Sequence, residues 1–224
     1  MFKRNYLYYK KTYTKNYIGR GGLFLTKIHI TAEPFNSEED YLLFEEARVL
    51  SKIYIGPSEY ENYDEETKQF LYDFLCKQNE FSLYVVFEAY KDCTEELESK
   101  LRQKSIPYSL GYVEPKQKGY PVFRITINNS SALNLVLEES FWFAGSNQFY
   151  AVSFSDNITY KHKLTKGLFG RQKQSLVPCF NMKEAATVIV IWHDGQGFTI
   201  YTNDFRYASL DELIDHLPSG TIID

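Results

Sequence analysis

Leu23 to Thr31 (LFLTKIHIT) alternates apolar and polar residues and is rich in β-branched side chains, the pattern of a strand buried on one face. Pro34 ends it. The period then lengthens: Ser37 is placed as an N-cap, Glu38, Glu39 and Asp40 fall in a first turn, and Leu42, Leu43, Ala47 and Leu50 follow at helical spacing, which predicts a helix to about Ile53. After Gly56-Pro57 and an acidic stretch, Asp64 is predicted to cap a second helix whose Phe70, Leu71, Phe74 and Leu75 form one apolar stripe.

The middle of the chain reads as strand Phe81 to Ala89, helix Thr94 to Lys104, strand Ile106 to Val113, strand Pro121 to Asn128, helix Ser131 to Glu139 and strand Phe149 to Ser155. That order, β-α-β-β-α-β, predicts an α+β fold with a ferredoxin-like core: four antiparallel strands with two helices on one face. Further on, Thr187 to His193 and Phe198 to Thr202 read as a hairpin around Asp194-Gly195-Gln196-Gly197. A capping box, Ser209 with Glu212, opens a last helix with Leu210, Leu213, Ile214 and Leu217 inward, and Pro218-Ser219-Gly220 stops it. The chain thus divides into an N-terminal strand and two helices (1–80), the split βαβ segment (81–155), and a basic loop, hairpin and C-terminal helix (156–224). No repeat or linker separates these parts, so they are expected to share one core.

Composition supports an ordered interior: 44% of the 224 residues are apolar, and 19 Tyr with 17 Phe supply bulk to fill it. Cys76, Cys93 and Cys179 form no C-x-x-C pair, so neither a disulfide framework nor a thiolate zinc site is signalled. No apolar run approaches the roughly 18 residues of a membrane span, and the first twenty residues lack the apolar segment of a secretory signal, so a cytoplasmic location with no membrane partner is expected.

Charge changes the picture more. The first 32 residues hold seven Lys/Arg and no acid, whereas the remainder holds 18 basic and 29 acidic side chains. A basic arm interleaved with Tyr6, Tyr8, Tyr9, Tyr13 and Tyr17 suits either nucleic acid or the acidic body of the same chain. Tyr160 to Lys173 is a second basic stretch, with Lys161, Lys163, Lys166, Arg171 and Lys173, and is read as a loop. Its Gly167 and Gly170 do not have the spacing of a phosphate-binding loop.

Lys118-Gly119-Tyr120, opening the third strand of the split βαβ, and Leu83-Tyr84-Val85 in its first resemble the RNA recognition motif over about a third of the chain. The resemblance implies base stacking on Tyr84 and Tyr120 beside Lys118; on the nucleic-acid reading, Lys161, Lys163 and Arg171 of the second basic stretch are further candidate phosphate contacts. Pro121, Val122 and Phe123 depart from the family's small-aromatic-Val order, which removes one stacking ring. The segment 81–155 is also not basic, with seven Lys/Arg against eight Asp/Glu.

Catalytic patterns are sparse. His193-Asp194 pairs an imidazole with a carboxylate and makes His193 the candidate general base, although adjacent side chains on a strand point to opposite faces. His29, His162 and His216 have no second ligand at helical spacing, so no metal and no cofactor are expected. An acidic body rich in aromatics instead suits a non-enzymatic protein-interaction module with a basic partner, of the bacterial immunity or inhibitor kind that masks a toxin or nuclease. The contacts expected are Glu59, Glu61, Asp64 and Glu65 of the acidic stretch, with Phe141 and Trp142 as exposed anchors; nucleic-acid binding is the alternative, and a His193-centred enzyme the second.

Overall fold

A computed structural model describes residues 26–36, 41–47, 50–58, 62–112, 120–166 and 172–224. Glu59, Glu61, Lys118 and Arg171, the cap at Ser37, Gly167, Gly170 and the basic arm up to residue 25 lie outside the described residues.

The strands are β1 (Thr26–Glu33), β2 (Leu43–Glu45), β3 (Ser51–Pro57), β4 (Leu83–Glu88), β5 (Tyr108–Tyr112), β6 (Pro121–Ile127), β7 (Tyr150–Ser153), β8 (Ile158–Lys166), β9 (Gln172–Asn181), β10 (Thr187–Ile191), β11 (Phe198–Thr202) and β12 (Thr221–Ile223). The helices are α1 (Tyr63–Gln78), α2 (Thr94–Gln103), α3 (Ser130–Ser140), α4 (Trp142–Gly145) and α5 (Leu210–Ile214). Nine strands form one sheet in the order β12-β1-β3-β11-β10-β7-β4-β6-β5, antiparallel except at the β12/β1 edge, so the fold is α+β with a large, mostly antiparallel sheet. Within it, β4-α2-β5-β6-α3-β7 lies with its strands in the order β7-β4-β6-β5. These four do not stand alone, because β7 pairs onward with β10, Ile189 facing Val152. Each of the three sequence segments supplies strands to this one sheet.

The period of two along each strand sorts side chains between two cores. Val85, Phe87, Phe123, Ile125, Val152, Ile189, Phe198, Ile200, Ile53 and Ile55 meet Phe70, Leu71, Phe74 and Leu75 of α1, Leu97 and Leu101 of α2, and Leu133, Val136 and Leu137 of α3. The alternate residues Val86, Ala151, Val188 and Tyr201 meet Phe44, Ile158 and Phe180 of a second, three-stranded sheet in the order β2-β9-β8. The molecule is therefore layered helix, large sheet, small sheet.

The small sheet corrects two expectations. The predicted Ser37 to Ile53 helix is replaced by β2 and the start of β3. Leu43 to Glu45 pairs in parallel with Cys179 to Asn181, and Phe44 is enclosed by Phe35, Phe180 and Tyr201 at ring distances of 5.1, 5.1 and 4.7 Å. Ser51-Lys52-Ile53-Tyr54-Ile55 itself alternates, with Ile53 and Ile55 inward. The basic loop from Tyr160 is the β8/β9 hairpin, in which Ile158 faces Phe180 and Lys161 faces Val177. Two smaller corrections concern helix ends: α1 starts on Asn62 in the left-handed region, with Asp64 inside the first turn, and Ile214 is exposed because α5 lasts only five residues.

Asp204 ties the C-terminal segment to α1. Its buried carboxylate accepts from the Arg206 guanidinium (2.7 Å at Nη2) and from the Arg206 amide (3.0 Å), while Arg206 also pairs with Glu80, just past the C-cap of α1. Burial alone would raise the Asp204 carboxyl, but the Arg206 bonds outweigh it and hold it below its ordinary 3.8. A carboxyl depressed by folding contributes stability above its unfolded pKa, and that contribution is lost as pH falls through the folded value. Asp204→Asn is therefore expected to cost about 1–3 kcal/mol at neutral pH. It should also flatten the acid limb of a stability profile measured by urea unfolding between about pH 5 and pH 2.

Candidate functional site

Strand β10 carries its inward residues on Ile189 and Ile191, and the alternation sends Val188 and Val190 to the other face. Trp192 continues that second series just where the strand ends, and it stands 45% exposed, enough to offer a partner a ring face without unfolding anything. The turn that follows, His193–Gly195, is held from three sides. Asn147, after α4, donates to the Asp194 carboxylate (2.8 Å) and accepts from the Asp194 amide (3.2 Å). Thr67 of α1 accepts from the Gly197 amide (2.8 Å), and the Tyr54 hydroxyl of β3 donates to the Gln196 carbonyl (3.0 Å). The loop closes on itself through the Trp192 amide and the Gly197 carbonyl (2.9 Å).

These bonds fix an aromatic group. The Tyr54 ring lies 6.2 Å from that of Trp192, and the His193 ring 5.4 Å from it, both edge to face. Asp64 packs on the turn, its Cβ 3.4 Å from where a methyl on Gly195 would stand. Beyond it on α1, Lys68 bridges Glu65 (2.7 Å) and Glu138 of α3 (3.0 Å). Burial works against the Lys68 ammonium, yet its hydrogen bonds to Glu65 and Glu138 dominate and raise its pKa. The first turn of α1, with Asp64, Glu65 and Glu66, thus meets the Trp192 loop in space although 128 residues separate Asp64 from Trp192 in sequence.

The other candidates separate. His193 is exposed on this loop, but the carboxylate beside it in sequence is engaged by Asn147 and not by the imidazole. Phe141 is buried at 4% exposure with its ring 5.8 Å from Tyr150, which corrects its expected role as a surface anchor: the α3 to α4 junction turns it into the core. Trp142 is half-buried, stacked between Tyr90 and Phe143, and its Nε1 donates to the Glu139 carbonyl (3.2 Å).

The residues named for the nucleic-acid reading are not gathered. Tyr84 faces Thr126 across β4/β6, whereas Tyr120 precedes β6, six residues or about 20 Å away along the strand. Over the ground between them lies β8: Arg124 donates to the Ile158 carbonyl and pairs with Asp156, and the Tyr160 hydroxyl donates to Glu88 (3.1 Å). Burial lifts the Glu88 carboxyl above its ordinary range, with the Tyr160 bond opposing. Lys161 pairs with Glu45 and Lys163 donates to the Leu42 carbonyl (2.9 Å), so both brace β8 against the β2 segment.

Sequence reasoning misses Trp192, Tyr54 and Asn147. The first two carry a signal, since the period of two places Trp192 with Val188 and Val190, and Tyr54 with Lys52, on a face that the sheet does not turn to the helices. Asn147 carries none, because only the folded chain brings it to Asp194. Of two recesses among the described residues, the one lined by Ile55, Thr67, Gly197 and Phe198 and the one lined by Leu97, Lys100, Glu139 and Phe143, each has about 10 Å³, room for one water molecule. No helix among the described residues is long and apolar enough to cross a membrane. No family model matches the chain, and no similar curated protein or solved structure was found.

Proposed function

We propose that this chain is a protein-interaction module whose contact surface is the clamped Trp192 loop together with the acidic first turn of α1, and that its partner presents basic groups. The observation that carries this reading is Trp192 itself: a large aromatic side chain left half in water on a turn that three separate elements hold still. A Trp already fixed in place loses little freedom on binding, and Trp is among the residues that dominate interface energies. Asp194 on this loop and Asp64 packed against it, with Glu65 and Glu66 in the same first turn of α1, favour a cationic partner and speed encounter with it. An inhibitor of the immunity kind, covering the cationic site of a toxin or nuclease, fits such a surface.

The test is a tagged pull-down from cells of the source organism, run with and without nuclease treatment and at two salt concentrations. One basic protein retained after nuclease treatment, and bound about 30-fold or more weakly by Trp192→Ala, is the expected result, equivalent to a loss of at least about 2 kcal/mol. Retention that Trp192→Ala leaves unchanged sinks this surface. Loss of all bound material on nuclease treatment would give the chain to nucleic acid instead, with a steep salt dependence.

A further inference from the structure

The four sheet edges among the described strands differ in how they are protected. β12 and β2 are three residues each, and β8 carries Lys161, His162 and Lys163, devices that discourage another strand from adding. β5 has none of them: Tyr108-Ser109-Leu110-Gly111-Tyr112 is five residues without a charge, at the outer edge of the nine-stranded sheet.

Ladder parity shows which backbone groups this edge presents. The Thr126 amide donates to the Pro107 carbonyl (3.0 Å), so Pro107 and Thr126 form a hydrogen-bonded pair. In an antiparallel ladder such pairs alternate with non-bonded ones. Ser109 with Arg124 and Gly111 with Val122 are then bonded to β6, while Tyr108, Leu110 and Tyr112 turn their N–H and C=O groups away from the sheet. The three outward residues are evenly spaced about Leu110, so the edge is complementary to a copy of itself run in the opposite direction.

We propose that β5 is a self-association edge: two copies of this chain pair β5 with β5 antiparallel about a two-fold axis through Leu110, joining two nine-stranded sheets. Leu110 then faces Leu110 of the second copy, and each Tyr108 faces the other copy's Tyr112, giving about six backbone hydrogen bonds. Tyr112, 64% exposed, gains a cross-strand aromatic partner in Tyr108, whose hydroxyl is already fixed by Glu98 (2.8 Å) and Arg102 (2.9 Å). On the opposite face only Ser109 and Gly111 meet, and a side chain at Gly111 would find open space within 4 Å. No like charges oppose one another along the seam.

The experiment measures the mass of the full chain by light scattering across a concentration series, with amide hydrogen exchange read residue by residue. The expected mass is twice 26.3 kDa, with the Leu110 and Tyr112 amides protected as well as those of Ser109 and Gly111. Leu110→Pro deletes an outward donor that β6 does not use, and proline is tolerated at such an edge position, so this variant should keep its circular dichroism and run as a single chain. Leu110→Lys sets two ammonium groups opposite one another across the two-fold axis and should also give single chains. A wild-type protein that stays single, or a dimer that survives both variants, overturns the proposal. A single chain whose Leu110 amide is nonetheless protected also overturns it, and assigns the edge to another segment of the same chain.

Discussion

Alanine in place of Phe87 is expected to destabilise the protein by about 3–5 kcal/mol. The side chain is fully buried on β4, and its ring is stacked on three others: Phe123 at 5.4 Å, Phe143 at 5.3 Å and Tyr150 at 5.2 Å, with interplanar angles of 15°, 22° and 10°. Two of these neighbours are its ladder partners on β6 and β7, so their backbones are pinned by the sheet and cannot collapse into the space left behind. Tyr150 is held further by a hydrogen bond between its hydroxyl and Ser140 (2.9 Å). A cavity that cannot close costs more than the transfer of the ring to water alone. Urea unfolding followed by circular dichroism would measure the change, with Phe205→Ala as a control. Phe205 is 76% exposed, and its loss should move stability by no more than about 0.5 kcal/mol. Equal effects at the two sites would contradict the stacked centre described above.

What was legible in the sequence follows from how local each signal is. The elements β4, α2, β5, β6, α3 and β7 are readable because each carries its own period and is bounded by its own breaker, as Pro121 and Asn129 show at the starts of β6 and α3; Asn129 caps α3 by accepting from the Ala132 amide (2.9 Å). The β10/β11 hairpin is readable for the same reason. β2 is not, because Leu42, Leu43, Ala47 and Leu50 satisfy a helical stripe as well as a strand. The choice is made by Cys179, Phe180 and Asn181, more than 130 residues away. In β8, lysine density masks the alternation: Lys161 and Lys163 stand where a loop's charges would, yet each finds a fixed acceptor on the β2 segment.

The candidate site was half legible for a related reason. The acidic turn and the His193 loop are each visible in the sequence, but their meeting depends on α1 lying across the end of β10 and β11. Phe141 and Trp142 look like surface anchors only while the α3 to α4 turn is unknown. Tyr84 and Tyr120 look like one platform only while the small sheet is unknown, since β8 lies where a nucleic acid would stack. Local pattern fixes which residues alternate; which layer they face is settled by contacts between distant segments.

Gly197→Ala is expected to be the most damaging conservative change at the candidate site, with a cost of about 2–5 kcal/mol. Gly197 has φ near +79°, and an added Cβ would lie 2.5 Å from the Ile55 carbonyl oxygen and 2.8 Å from the Gly56 Cα. Both are backbone atoms of β3, which is paired on both sides, so the clash must be relieved by moving the loop and not the sheet. Gly195 gives a graded comparison: it has φ near +75°, but its nearest neighbours would stand 3.4 Å away, so Gly195→Ala should cost only the left-handed strain of about 1–2 kcal/mol. Gly111→Ala, in open space on β5, should change stability by no more than about 0.5 kcal/mol. Urea unfolding read by tryptophan fluorescence should return the three variants in that order. Displacing Gly197 also breaks the bonds to Thr67 and Trp192 that hold the turn, so partner binding should fall in Gly197→Ala under conditions where the chain remains folded. Were binding to survive while stability fell, the rigidity of the Trp192 loop would be incidental to recognition, and Trp192 would act as a flexible anchor.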